Sequence, residues 1–171
     1  MELLGQVNNR QVFYCNVRIH PEFVETLPVG NWLAFTIADN ADKELLKEVV
    51  KSCLDKGVCY ACSAGMLAGL TEAHFDEEIV YRAVLEEEAT DIPYDYDNSA
   101  MTSAHRNFNE GFWFATSVAA DGHKVFNNVV CIDLTTQGVK GHLTELIRKI
   151  NDNWVPSEEE NEYPIYDSPS V

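Results

Sequence analysis

Between Asn31 and Ala64 the hydrophobic period changes twice, and those changes constrain the fold more than any other stretch of the chain. Trp32-Leu-Ala-Phe-Thr-Ile-Ala38 is apolar almost without interruption, as expected of a parallel strand covered on both faces. From Ala41 to Lys56 the apolar residues Leu45, Leu46, Val49, Val50, Cys53 and Leu54 form one stripe at helical spacing, with Lys and Glu opposite. Asp39 or Asn40 is placed to cap this helix, and Gly57 stands where a left-handed C-cap belongs. Val58-Cys-Tyr-Ala-Cys-Ser63 is again continuous and apolar and stops before Gly65. The whole reads as a βαβ unit.

Other segments extend this pattern. Gln11–Ile19 has strand composition and is closed by His20-Pro21; residues 21–30 suit a short helical turn or loop. Met66–Phe75 reads as a short crossover helix, and Ile79-Val-Tyr-Arg-Ala-Val-Leu85 as a third strand, an exposed edge protected by the acids around it. Thr90–Asn98 is an Asp- and Tyr-rich loop, and Ser99–Ser103 a short fourth strand. Asn107 and Glu110 have capping-box spacing ahead of a helix, Gly111–Ala120, that is apolar nearly all round. Val129–Leu134 is a fifth buried strand. Thr135 or Thr136 caps a last helix striped by Val139, Leu143, Leu146, Ile147 and Ile150.

Alternating strands and helices imply a three-layer α/β/α domain over residues 1–155, with a mostly parallel sheet of about five strands and an extra N-terminal edge strand. Residues 156–171, rich in Glu and Pro, read as an extended or disordered tail. A chain of 171 residues buries enough surface to need no staple. The first residues lack a basic and then apolar leader and no apolar run reaches membrane-spanning length, so a cytoplasmic protein is expected. The odd count of five cysteines then reads as reduced core residues.

The net charge of −16 is concentrated. Between Glu72 and Asp97 ten acidic residues meet one base, Arg82, and residues 151–171 carry six acids and no base. Such surfaces repel nucleic-acid phosphates and attract basic partners. The expectation is a binding or regulatory protein of the immunity or accessory-factor type. It would engage a basic protein through Glu86, Glu87, Glu88, Asp91, Asp95 and Asp97; a solvated acidic face that aids solubility is the plainer account. Mimicry of nucleic acid is a further reading of the same charge.

Parallel sheets bind ligands beyond the carboxyl ends of their strands. On that edge the alternative function is a hydrolase or nucleotide-processing enzyme using Asp39, Ser63, Thr102 and His105, with His105 beside a carboxylate as general acid or base. Helix capping is the favoured account of Asp39, Asn40, Thr135 and Thr136, and a lone His105 reads more readily as structural than as catalytic. Ala38–Asp42 has neither glycine-rich phosphate signature, which argues against dinucleotide or nucleoside-triphosphate binding, and no cofactor is expected. Cys59-Tyr-Ala-Cys62 lies within a strand, which would point its thiols to opposite faces, and Cys15, Cys53 and Cys131 are isolated. His74 and Asp76 could ligate a divalent metal, although an acidic loop explains them as well, and no metal is expected.

Several of these residues also carry a family resemblance: the cysteine-bearing strand Val58–Ser63, Phe75-Asp-Glu77, Met101-Thr102 with His105, and Glu110 with Trp113-Phe114. Through them residues 57–150 resemble a family of small uncharacterised bacterial proteins described as a domain of unknown function. The chain departs from its pattern in having Ser63-Ala-Gly in place of a Trp-Gly after the second strand, and in a shorter gap between His105 and Glu110. The resemblance implies a Rossmann-like single domain, brings no activity with it, and draws attention to His105.

Overall fold

A computed structural model describes residues 1–39, 42–122 and 124–157. The expected tail falls almost wholly outside the described residues. Among these residues six strands form one sheet: β1 (Glu2–Val7), β2 (Arg10–Asn16), β3 (Trp32–Ile37), β4 (Val58–Ala64), β5 (Met101–His105) and β6 (Asn128–Asp133), in the order β1-β2-β6-β3-β4-β5. β1 runs antiparallel to β2 and every other pairing is parallel. The segments that begin at Trp32, Val58 and Val129 therefore lie side by side and point the same way, as their unbroken apolar character requires.

Among the described residues five helices cover the sheet: α1 (Phe23–Thr26), α2 (Lys43–Asp55), α3 (Ala68–Thr90), α4 (Phe108–Ser117) and α5 (Lys140–Asn151). One apolar layer joins Phe23 of α1, the Leu46, Val49, Val50 and Cys53 stripe of α2, and Phe75 of α3 to Trp32, Ala34, Val130 and Ile132. On the other sheet face Phe112 and Ala115 of α4 and Leu143, Leu146, Ile147 and Ile150 of α5 pack on Leu33, Phe35, Cys62 and Cys131. This is a three-layer α/β arrangement with an antiparallel edge strand.

The structure corrects the sequence reading in several places. Ile79–Leu85 is not a strand but the middle of α3, a 23-residue helix that continues from the expected crossover helix to Thr90. The inward residues Thr71, Phe75 and Ala83 keep helical spacing, whereas Val80, Tyr81, Val84 and Leu85 lie on the surface. An apolar run with both an inner and an outer share loses the period that identifies a helix. Glu2–Val7, given no structure from sequence, is the edge strand β1; its outer residues are exposed and its register breaks between Leu3 and Gly5. The sequence's N-terminal strand is β2, one place inward.

Three local expectations change as well. The cap of α2 is Asp42, whose side chain accepts from Leu45 N at 3.2 Å. Gly57 does adopt the left-handed conformation that ends this helix, with φ 68°. Neither Thr135 nor Thr136 caps α5, which begins after Val139. Instead Asp133 accepts from Val139 N at 2.9 Å, and Thr135 Oγ1 takes Gly138 N at 3.0 Å. Finally, the β3–β4 register skips Cys59, because Trp32 pairs with Val58 and Leu33 with Tyr60. That bulge brings Cys59 into the same apolar cluster as Cys62, and both remain free thiols.

Candidate functional site

His105 is the last residue of β5 and is 7% exposed. Two residues on, Asn107 opens α4 by accepting from the backbone N–H groups of Asn109 and Glu110. That is the first half of a capping box; the second half is absent, because the Glu110 carboxylate goes elsewhere. It meets His105 Nδ1 at 2.5 Å, with both side chains about nine-tenths buried. On the other side of the ring, His105 Nε2 lies 3.2 Å from Ser103 Oγ. The ring itself rests against Phe114, 4.7 Å between centroids.

Gly111 makes this packing feasible. A Cβ added there would stand 2.8 Å from His105 Cβ and 3.2 Å from Ala64 Cβ, so α4 can approach the sheet this closely only where no side chain intervenes. Burial by itself would lower the pKa of the imidazolium. Interactions with Cys62 and Glu110 outweigh that effect and push it up to about 10, so the ring is held protonated. Outside this pair, Glu72 on α3 has its pKa raised by burial and by Asp76, against a lowering from His105. A cationic His locked to a buried Glu is a strong joint between β5 and α4. As a general base it is poorly matched to neutral pH.

The other expected site residues are distributed along the sheet. Asp39, exposed just beyond β3, accepts from Thr136 N and Thr136 Oγ1, each at 3.4 Å, and so ties the carboxyl ends of β3 and β6 together. It lies two strands from His105, roughly 10 Å across the sheet. Ser63 is fully buried inside β4 and shares a hydrogen bond with Thr36 Oγ1 at 3.0 Å. Thr102 points to the opposite side of β5 from His105 and donates to Asp76 at 2.8 Å. The polar side chains of Ser103, Glu110 and Cys62 are brought against His105. Of the residues weighed for a metal, Asp76 is engaged with Thr102 and His74 Nδ1 faces Glu77 at 3.4 Å. Among the described residues no three His, Cys, Asp or Glu side chains gather as metal ligands would.

The acidic residues fall on a single elongated feature. Glu86, Glu87 and Glu88 occupy the last turns of α3, Asp91 is its left-handed C-cap, Asp95 caps the 3-10 turn Tyr96–Asn98, and Asp97 lies within it. All six are exposed. Glu87 and Asp95 also build the loop: Glu87 accepts from Tyr94 N at 2.8 Å, and Asp95 from Asp97 N and Asn98 Nδ2. Arg82, the one base of the segment, is already engaged by Asp55 and Glu78 at 2.8 Å each. On the outer side of the same helix, Val80, Tyr81, Val84 and Leu85 are 45–59% exposed, and Ile92 beyond it is 66% exposed.

Sequence reasoning missed the carboxylate of Asp133. It is completely buried and accepts from Tyr14 Oη at 2.6 Å, Thr135 N at 2.8 Å, Val139 N at 2.9 Å and Asn16 Nδ2 at 3.5 Å. The signal was present: an acid closing an otherwise apolar parallel strand must find several donors to be buried at all.

No helix among the described residues is long and apolar enough to cross a membrane. No curated protein matches the chain. Residues 12–150 match the family described as a domain of unknown function, DUF7684, reaching well upstream of the segment that carries the resemblance in sequence; the chain belongs to that family.

Proposed function

We propose that this protein is a binding protein whose α3 and the loop after it receive a basic, amphipathic segment of another protein. The observation that carries this reading is the coincidence of an exposed apolar ridge, Val80, Tyr81, Val84, Leu85 and Ile92, with the exposed acids Glu86, Glu88, Asp91 and Asp97. Apolar side chains grouped on a surface favour a covering partner. The acids select one of positive charge and speed the encounter. Arg82 does little to relieve this field, since two carboxylates already bind it.

A fluorescent helical peptide of Leu and Lys is a suitable probe, followed by anisotropy at low and at high salt. Glu86→Lys with Glu88→Lys should weaken binding about tenfold, and added salt should do the same. Leu85→Asp should also weaken it, although the substitution adds negative charge. Equal binding by all variants, or a gain in Leu85→Asp, would overturn the proposal.

The alignment of Ser103, His105 and Glu110 favours a second reading, a hydrolase with Ser103 as nucleophile. It draws less support because Glu110 favours the protonated imidazole, the form that does not accept the Ser103 proton.

A further inference from the structure

Far from the acidic helix, a cleft of about 580 Å³ opens where β2 and β6 end and α5 begins, lined among others by Asn16, Arg18, His20, Thr135, Thr136 and Lys140. Its volume is that of a small-molecule site, and it stands beyond the carboxyl ends of parallel strands, where such sheets place their ligands. Its floor is tied together by hydrogen bonds. Asp133, saturated by the four donors described above, fixes the turn from β6 into α5 and anchors Tyr14, whose hydroxyl is kept neutral by burial and by Asp133, its pKa raised to about 12.

Two cations, Arg18 and Lys140, line the cleft with the acid Glu2, while Asp133 is buried beneath the floor and Asp39 and Asp42 reach the lining residues Thr136 and Arg18. Arg18 is oriented by donating Nε to Leu134 O at 2.7 Å, and its Nη1 is only loosely directed to Asp42 at 3.9 Å. Lys140 holds Glu2 at 2.7 Å, but both side chains are about half exposed, so an anion can replace that carboxylate at small cost. Thr135 adds a hydroxyl and α5 the positive end of its dipole, while the Thr136 hydroxyl is turned to Asp39.

We propose that this cleft binds a phosphate monoester, with the phosphate between Arg18 and Lys140. A dianion with three terminal oxygens matches two cations and donors arriving from separate elements better than a monovalent carboxylate does. The missing glycine-rich loop limits the ligand to one phosphate group, since nothing here wraps a pyrophosphate.

The test is an amide chemical-shift titration of the labelled full chain with glycerol 3-phosphate, inorganic phosphate and acetate at matched ionic strength. Saturable shifts centred on Arg18 and residues 135–141 are expected with glycerol 3-phosphate, weaker ones with inorganic phosphate, and none with acetate. Lys140→Gln should weaken the first about tenfold. Gly141 lines the cleft, and a Cβ there meets no atom within 4 Å. Gly141→Leu should therefore fill the space, raise helix propensity and abolish the shifts with the fold intact. Absence of saturable shifts, an equal response to acetate, or binding undiminished in both variants would overturn the proposal.

Discussion

At the scale of single residues, the pair His105 and Glu110 makes the sharpest statement. The folded chain raises the His105 pKa from 6.5 to about 10, so the folded state binds that proton more tightly than the unfolded one. Its contribution to stability is thus complete below about pH 6.5 and is lost as the pH climbs toward 10. In urea unfolding, the native protein should exceed Glu110→Gln in stability by more at pH 7 than at pH 10. A difference that stays constant over this range would show that the ring is not held as a cation. Little of this was legible beforehand. Glu110 sits three residues after Asn107, where a capping box accounts for it completely, and nothing local announces that its partner is the histidine on the preceding strand. His105 itself was legible as a residue of interest. Asp39, Ser63 and Thr102 sit on or near the same edge but bond to Thr136, Thr36 and Asp76, because each polar group settles with the nearest donor or acceptor its strand offers.

Among the elements, α3 separates what periodicity can reveal from what it cannot. The amphipathic helices α2 and α5 were readable because each buries one stripe and hydrates the rest. The strands β3, β4 and β6 were readable because both faces are covered. α3 buries Phe75 and Ala83 yet also exposes Val80, Tyr81, Val84 and Leu85, so apolar residues occupy opposite sides and the sequence imitates a strand. The two sides should differ in energetic worth. Phe75→Ala opens a cavity in the layer beneath α3 and should cost about 3–5 kcal/mol in denaturant unfolding. Val84→Ala, on the outer side, should stay within about 0.5 kcal/mol. Comparable losses at the two positions would mean that the outer ridge is packed against something within the chain.

For the molecule as a whole, the sheet order places its central strands β6, β3 and β4 between two apolar layers that share no helix. The acidic helix and the cationic cleft lie toward opposite ends of that sheet, since α3 leads into β5 while the cleft opens at β2 and β6. A partner on one and a small ligand on the other could therefore be bound together without competing for surface. The layered plan followed from sequence, because continuous apolar strands need cover on both faces. The antiparallel edge did not, because β1 is half exposed and interrupted near Gly5.

The five buried cysteines turn that division into a built-in recorder of how the molecule comes apart. Cys15 and Cys53 belong to one layer, and Cys59, Cys62 and Cys131 to the other. Brief exposure to an alkylating reagent during unfolding, followed by mass spectrometry of peptides, should find either unmodified chains or chains labelled at all five positions if the layers open together. Chains carrying label at two positions or three would identify which side of the sheet is released first.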